Sequence, residues 1–225
     1  MKINQEMSGI CYEKGYQILQ SAGVALIGIS PGNSYFKQPI IEELIDFTTH
    51  IFSKIYIVIP DKPAEHTYKA LGYSDHESEQ RTRQQGNRVK NRVATSIKNL
   101  KKNSHNFLQV LHWQHDIETS SYYQEQLLYV NNLYKTHKEF CSDIQHEVKQ
   151  VLEEHNEKRQ EVTQENVAKG VHYLLEELAC CLALPKMLHV ENVAVVYHKE
   201  LPLWNKFFNG YYEHKVYPIG LVIIS

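Results

Sequence analysis

The sequence predicts an α/β fold of Rossmann-like type, in which helices flank a parallel β-sheet within a single domain that covers residues 1–225. Two short apolar runs, residues 24–30 and 55–59, enclose an amphipathic stretch at residues 38–52. A strand, a helix and a second strand at this spacing form a βαβ unit, whose strands run parallel. The length of 225 residues and the hydrophobic content of 42% are typical of one globular domain with its own core.

The other elements follow from hydrophobic periodicity and turn residues, taken in chain order. Helices are expected at residues 5–22, 75–102, 116–134, 138–157, 163–182 and 204–208. Further strands are expected at residues 107–112, 192–198 and 217–224. The segments at residues 31–34 and 61–66 are expected to be loops, because each follows the end of a buried strand and contains turn residues.

Hydropathy and cysteine usage exclude several classes of protein. The sequence contains no run of ~20 apolar residues, the length needed to cross a bilayer, and residues 1–9 are polar, unlike a signal peptide. The spacing of Cys11, Cys141, Cys180 and Cys181 fits neither a disulfide framework nor a CxxC metal site. We therefore expect a cytoplasmic protein with buried free thiols and no attachment to a membrane.

Basic residues are concentrated in one segment. Residues 81–102 contain eight of them and no acidic residue: Arg81, Arg83, Arg88, Lys90, Arg92, Lys98, Lys101 and Lys102. Removing these eight from the 24 Lys and Arg leaves 16 basic residues against 26 acidic ones in the whole chain. The helix therefore predicts a localised cationic face that binds one RNA, whereas the acidic remainder disfavours general coating of DNA.

A serine follows the first predicted strand. Residues 28–32 read Gly-Ile-Ser-Pro-Gly and match the GxSxG elbow of α/β-hydrolases. Pro31 has no backbone N–H to donate to an oxyanion, which disfavours a hydrolase. The first strand is not followed by a GxGxxG or Walker loop, so no nucleotide cofactor is expected. His112 and His115 have no further ligands at metal-binding spacing, so we expect no metal.

Three motifs together resemble the cyclodipeptide synthase family. Residues 28–36, Gly-Ile-Ser-Pro-Gly-Asn-Ser-Tyr-Phe, resemble its signature loop. Tyr173 and Glu177, one helical turn apart, resemble the second motif, and residues 195–198, Val-Val-Tyr-His, resemble the third. The motifs have the order and spacing of the family, and the resemblance spans nearly the whole chain.

The resemblance implies a fold similar to the catalytic domains of class I tyrosyl- and tryptophanyl-tRNA synthetases. It implies an enzyme that makes a cyclic dipeptide, a 2,5-diketopiperazine, from two aminoacyl-tRNAs. Because the aminoacyl ester is already activated, no ATP or other cofactor is needed. The resemblance also places the tRNA on the basic helix and favours a monomer.

Residue roles are implied by the same resemblance. Ser30 matches the nucleophile of a ping-pong reaction that passes through an aminoacyl-enzyme and then a dipeptidyl-enzyme. Tyr173 and Glu177 match the residues that hold the α-amino group of the substrate, and Tyr197 matches the proton-relay residue. By the same resemblance, Asn33, Tyr197 and His198 match the residues that define the Asn/Tyr/His subgroup of the family. Leu26 and Gly28 match positions that line the substrate site.

Two other functions stay open at this point. One is a non-catalytic RNA-binding module with a synthetase-like fold, and the other is a serine hydrolase. The chain also contains 15 Tyr and 13 His, of which the resemblance gives a role to only three. The sequence leaves open which amino acids are joined and which group activates Ser30.

Overall fold

The computed structural model describes residues 23–100, 107–155, 161–213 and 215–223. In these residues five parallel strands form one sheet in the order β3-β2-β1-β4-β5. The strands are β1 (Val24–Gly28), β2 (Lys54–Ile59), β3 (Phe107–His112), β4 (Val193–Tyr197) and β5 (Ile219–Ile223). The α/β fold with a parallel sheet is therefore confirmed.

Helices cover both faces of this sheet. They are α1 (Gln38–Ile51), α2 (Ala64–Ala70), α3 (Asp75–Leu100), α4 (Ser121–Thr136), α5 (Lys138–Glu154), α6 (Gln164–Met187) and α7 (Pro202–Phe208). One π-helical turn, Trp113–Ile117, follows β3. None of the helices in the described ranges combines the length and apolar character needed to cross a membrane.

The core divides into two clusters because side chains alternate between the faces of a strand. Ala25 and Ile27 of β1 point to the side covered by α1 and α3. Val24 and Leu26 of the same strand point to the other side, where the larger cluster includes residues of α4 to α7. Cys180 and Cys181 of α6 lie in this larger cluster as buried free thiols, as expected.

Several predicted boundaries are wrong for identifiable reasons. The expected loop at 61–66 contains the start of α2, where Pro63 has the φ of −57° suited to a helix start. The expected helix at 116–134 begins only at Ser121, after the π-helical turn. Helix α6 continues past residue 182 and includes Pro185, because its last turns are buried in the core.

The helix predicted at 138–157 ends at Glu154, and the other described ends agree with the prediction to within two residues. The helix expected at 5–22 lies outside the described residues. The same is true of Cys11, Lys101 and Lys102.

The strand order creates a crevice at the centre of the sheet. The chain leaves β1 toward β2 and β3 on one side and later returns to β4 on the other side. In parallel sheets of this kind, ligands bind at the carboxyl ends of the two strands where the order reverses. Here those strands are β1 and β4, which are followed by Ser30 and His198 respectively.

Candidate active site

The loop after β1, residues 29–37, is the serine loop, and it has a tight backbone turn. Gly32 has a φ of +81°, a left-handed conformation that glycine adopts without a Cβ clash. The Asn33 side chain accepts a hydrogen bond from the Tyr35 backbone N–H at 2.9 Å, which closes the next turn. This geometry carries the chain from Ser30 away from the strand and toward α1.

Gly32 also lies against the Tyr68 side chain of α2. A Cβ at position 32 would lie 2.8 Å from the Tyr68 hydroxyl oxygen, too close for an unadjusted contact. Gly72 has the same φ of +81° but nothing within 4 Å of its Cβ position. The two glycines therefore share the left-handed backbone conformation, but only Gly32 has a side chain packed against its Cβ position.

We expect Gly32→Ala to lower the free energy of unfolding by more than Gly72→Ala. Both variants force alanine into a left-handed conformation, which costs about 1–2 kcal/mol. Only Gly32→Ala adds the clash with Tyr68, which should cost about 1 kcal/mol more. Urea unfolding of the two variants beside the wild type measures the difference. Equal losses of stability would contradict the close packing of Tyr68 on the serine loop.

A chain of hydrogen bonds joins Ser30 to helix α6. The Tyr173 hydroxyl lies 3.1 Å from Ser30 Oγ and 2.7 Å from Glu177 Oε1. Tyr173 and Glu177 are four residues apart on one helix, so their side chains share a face. A phenol has one proton, which Tyr173 donates in a hydrogen bond to the ionised Glu177 carboxylate. The Ser30 hydroxyl can then donate its own proton to the phenol oxygen.

Burial changes the acidity of both α6 residues. Loss of solvent raises the pKa of the Glu177 carboxyl to about 7, although the hydrogen bond from Tyr173 opposes this shift. Loss of solvent, followed by the nearby Glu177 charge, raises the pKa of Tyr173 well above 10. A carboxyl that titrates near neutral pH at the wall of a cavity is typical of functional sites.

The raised pKa of Glu177 predicts that Glu177→Gln stabilises the fold at alkaline pH. The unfolded chain loses this proton near pH 4.5, whereas the folded protein keeps it up to about pH 7. The folded state therefore binds more protons in this window, so the wild type loses stability as the pH rises. Glutamine does not titrate, and the variant should gain roughly 3 kcal/mol over wild type at pH 8 and under about 1 kcal/mol at pH 5.

Urea unfolding at these two pH values measures the gain. Glu176→Gln is the matched control, because its carboxylate lies on the same helix but faces His66 at 3.0 Å. A gain for Glu177→Gln that is the same at both pH values would contradict the raised pKa.

Tyr197 and His198 bring the end of β4 to the serine loop. Burial, followed by the nearby Glu177 charge, raises the pKa of the Tyr197 phenol to about 12, although the Ser30 and Asn33 side chains act to lower this pKa. The His198 ring stacks on Tyr35 with 3.7 Å between ring centroids. Burial, and then the Lys199 charge, lower the pKa of His198 and so favour the neutral form of its ring.

A cavity of about 300 Å³ opens beside Ser30. Leu26 and Gly28 line it, together with Tyr173, Glu177 and Tyr197. Much of the rest of its wall is apolar and comes from the larger core cluster, including Val58, Trp113, Val148, Leu174 and Val195. Within the described ranges, no group of three or more His, Cys, Asp or Glu is arranged to hold a metal ion.

The basic residues of α3 fall into two structural groups. Arg83, Arg88 and Lys98 are exposed. The others that the structure describes have partners: Arg81, although exposed as well, lies over the Tyr73 ring at 4.0 Å, and the Lys90 ammonium lies 2.5 Å from the Asp61 carboxylate. Arg92 donates from Nη1 to the Phe36 carbonyl at 2.8 Å, which ties α3 to the end of the serine loop.

Sequence reasoning missed one side of the site. Tyr68 of α2, Tyr73 of the segment that follows and Gln85 of α3 line the cavity, although no motif marked them. The stretch after Pro63 has helical composition, and this signal could have placed Tyr68 on a helix.

A model of the cyclodipeptide synthase family matches residues 11–224 of this chain. The chain belongs to the cyclodipeptide synthase family. A protein of this family from Photorhabdus laumondii, named cyclo(L-leucyl-L-leucyl) synthase, is 25% identical over 205 residues, which are 89% of this chain and 87% of that protein. The family is therefore one of enzymes, and the expectation of a cyclodipeptide synthase-like enzyme is confirmed at this level.

Solved cyclodipeptide synthase structures share the fold. One from Staphylococcus haemolyticus has a TM-score of 0.83 at 20% identity and covers 96% of this chain and 97% of its own. One from Mycobacterium tuberculosis has a TM-score of 0.79 at 21% identity over 94% of this chain and 89% of its own. That structure was described as showing that cyclodipeptide synthetases are related to type I tRNA synthetases. One from Candidatus Glomeribacter gigasporarum was solved bound to Phe-tRNA; it has a TM-score of 0.65 at 18% identity over 90% of this chain and 87% of its own. The predicted relation to class I synthetase folds is confirmed.

Proposed function

We propose that this member of the cyclodipeptide synthase family joins the amino acids of two aminoacyl-tRNAs into a cyclic dipeptide by ping-pong catalysis on Ser30. The observation that carries the proposal is the hydrogen-bonded chain from Ser30 through Tyr173 to Glu177 at the wall of an apolar cavity. Asn33, Tyr197 and His198 support membership of the Asn/Tyr/His subgroup, which is part of this proposal. It acts as a monomer in the cytoplasm, where aminoacyl-tRNAs are made.

The first half-reaction transfers an amino acid to the enzyme. Ser30 Oγ attacks the ester carbonyl, the bond to the 3′ oxygen of the tRNA breaks, and the serine proton leaves with that oxygen. Tyr173 and Glu177 hold the α-ammonium group, because a carboxylate and a phenol oxygen both accept hydrogen bonds from it. The covalent intermediate divides one difficult transfer into two easier steps.

The second half-reaction forms two peptide bonds. The amine of the second aminoacyl-tRNA attacks the Ser30 ester carbonyl, which forms the first peptide bond, frees Ser30 Oγ and leaves the dipeptide on the second tRNA. Ser30 Oγ then attacks the dipeptidyl ester, the bond to the 3′ oxygen of the second tRNA breaks, and that oxygen leaves with the serine proton, which gives the dipeptidyl-enzyme. The free amine of this dipeptide then attacks its own ester carbonyl, closes the ring and releases Ser30. The Tyr197 phenol is protonated at neutral pH and can donate and accept protons during these steps.

The cavity wall favours apolar amino acids as substrates. A polar or charged side chain placed against Leu26, Val58 and Leu174 would lose its hydration, which costs free energy. This preference agrees with the name of the Photorhabdus laumondii relative, cyclo(L-leucyl-L-leucyl) synthase.

A direct assay tests the proposal. The purified protein is incubated with a pool of charged tRNAs, and small products are identified by mass spectrometry. Diketopiperazines with apolar side chains are expected, and the same pool of uncharged tRNAs is the control. Hydrolysis of simple esters without any diketopiperazine would instead favour a serine hydrolase, which Pro31 already disfavours because it offers no oxyanion N–H.

The exposed cations of α3 predict a salt-dependent tRNA interaction. We expect the double variant Arg83→Glu/Arg88→Glu to weaken tRNA binding and to reduce the slope of log K against log salt concentration, by about 1 for each phosphate that is no longer neutralised. Binding is measured by fluorescence titration at several salt concentrations.

The matched control is Arg92→Gln, because that guanidinium is already bonded to the Phe36 carbonyl. It should lower kcat by displacing the serine loop, with the salt slope unchanged. A salt slope that falls for Arg92→Gln but not for the double variant would contradict this division of the helix.

A further inference from the structure

A row of side chains leads from the serine loop to the basic helix along one rim of the cavity. The Tyr68 hydroxyl packs on Gly32, two residues after Ser30. The Tyr68 and Tyr73 rings meet edge to face with 6.2 Å between centroids, and the Arg81 guanidinium lies 4.0 Å over the Tyr73 ring. Gln85, one helical turn after Arg81, lines the same cavity. No role in the mechanism above uses any of these four side chains.

We propose that Tyr68, Tyr73, Arg81 and Gln85 form a binding site for the single-stranded 3′ end of the aminoacyl-tRNA. This inference rests on the proposed function. The four residues bind the unpaired terminal nucleotides, whereas the exposed Arg83 and Arg88 bind the duplex part of the tRNA. Nucleobases stack on aromatic rings and guanidinium planes, and amide groups pair with base edges. The rim carries all three kinds of group.

The chemistry of the substrate requires that nucleotides of the tRNA lie at this rim of the cavity. The amino acid is joined to the terminal ribose through a single ester oxygen, so the terminal nucleotide lies next to Ser30 whenever the carbonyl is within reach of Oγ. The nucleotides behind it must then cross the rim to reach the duplex. The row from Gly32 to Arg81 is continuous with α3, so one path serves both parts of the tRNA.

The local charges suit a polyanion with stacked bases. Arg81 is exposed, and the charges of Arg81 and Arg88 both reach Tyr68, where they lower its pKa against the dominant effect of burial. A cation placed over an aromatic ring keeps the ring in position and leaves a planar surface for stacking. The rim therefore offers positive charge and aromatic area together.

Two substrates separate this site from the duplex-binding surface. One is a full-length aminoacyl-tRNA, and the other is a trinucleotide that carries the same amino acid on its 3′-terminal adenosine. Tyr73→Leu and, independently, Arg81→Gln should raise KM about tenfold for both substrates, because stacking is removed in each case. Arg83→Gln, a substitution of an exposed arginine two residues away, should raise KM only for the full-length substrate. Tyr73→Phe should retain the wild-type KM.

Binding of the uncharged trinucleotide, measured by fluorescence titration, provides a readout that does not depend on catalysis. Tyr73→Leu and Arg81→Gln should weaken it about tenfold, and Arg83→Gln should leave it unchanged. The inference is overturned if the two rim variants bind the trinucleotide like wild type, or if Arg83→Gln weakens it equally. Absence of any diketopiperazine from the wild type would refute the proposed function alone, since the titration still tests the rim.

Discussion

Replacing Ser30 with alanine is expected to abolish diketopiperazine formation, by at least ~10³-fold, because removal of a nucleophile eliminates the covalent route. The Ser30 hydroxyl lies at the wall of the cavity, 3.1 Å from the Tyr173 phenol oxygen. The variant should still bind tRNA with the wild-type affinity, because the exposed cations of α3 are unchanged. Product yield by mass spectrometry and tRNA titration measure the two quantities.

Ser34→Ala is the matched control for this variant. Ser34 is an exposed serine in the same loop and lies outside the cavity wall, so its replacement should leave the rate near that of wild type. Acid-quenched wild-type enzyme incubated with labelled aminoacyl-tRNA should carry the label on the peptide that contains Ser30. A fully active Ser30→Ala variant, or label on another residue, would contradict the assignment of the nucleophile.

Replacing Glu177 with glutamine is expected to lower kcat/KM about 100-fold at pH 8. Only the ionised carboxylate forms a charge-assisted hydrogen bond with the substrate ammonium, and such bonds contribute about 1.5–3 kcal/mol. The pKa of Glu177 is about 7 in the free enzyme, because the side chain is buried. The wild-type kcat/KM should therefore fall tenfold per pH unit below pH 7, and this acidic limb should be absent from the variant.

The saturated enzyme provides an independent check of the same residue. A bound ammonium group stabilises the carboxylate and lowers its pKa, so the acidic limb of kcat should lie at lower pH than that of kcat/KM. Glu177→Asp keeps the charge and should recover part of the activity. An unchanged acidic limb in Glu177→Gln would assign that limb to another group.

The central part of the fold could be predicted because its signals are local. The strands β1, β2 and β4 are short apolar runs, and alternation of their side chains between two covered faces leaves little choice of structure. Ser30, Tyr173 and Tyr197 were found by motifs, and the structure brings all three together at one cavity.

The missed features depend on contacts between distant segments. Helix α2 is only seven residues long, and its position against α6 is not visible in local periodicity. Asn166 of α6 donates to the Ala70 carbonyl at the end of α2, a contact between residues 96 positions apart. The predicted end of α6 at residue 182 is too early, because burial in the core maintains a helix that includes Pro185.

Charge counting alone also provides an incomplete account of α3. Eight cations in one segment predict a uniform polyanion-binding face, yet Arg92 bonds to the serine loop and Lys90 to Asp61. Partners such as the Phe36 carbonyl are backbone groups whose position depends on the tertiary structure. Sequence can therefore predict the sign of such a surface but not which of its cations can reach a ligand.

The pairing of β1 with β4 has a consequence for how the protein folds. This pairing joins Val24 to Val193, and the Tyr173–Ser30 contact spans 143 positions. Contacts of such high sequence separation form late, because a long loop must be closed before they contribute favourable energy. The strands β1 and β2 with α1 between them are local by comparison. During refolding, the first half of the sheet should therefore gain protection from hydrogen exchange before Ser30 meets Tyr173, and catalytic competence should be the last property to return.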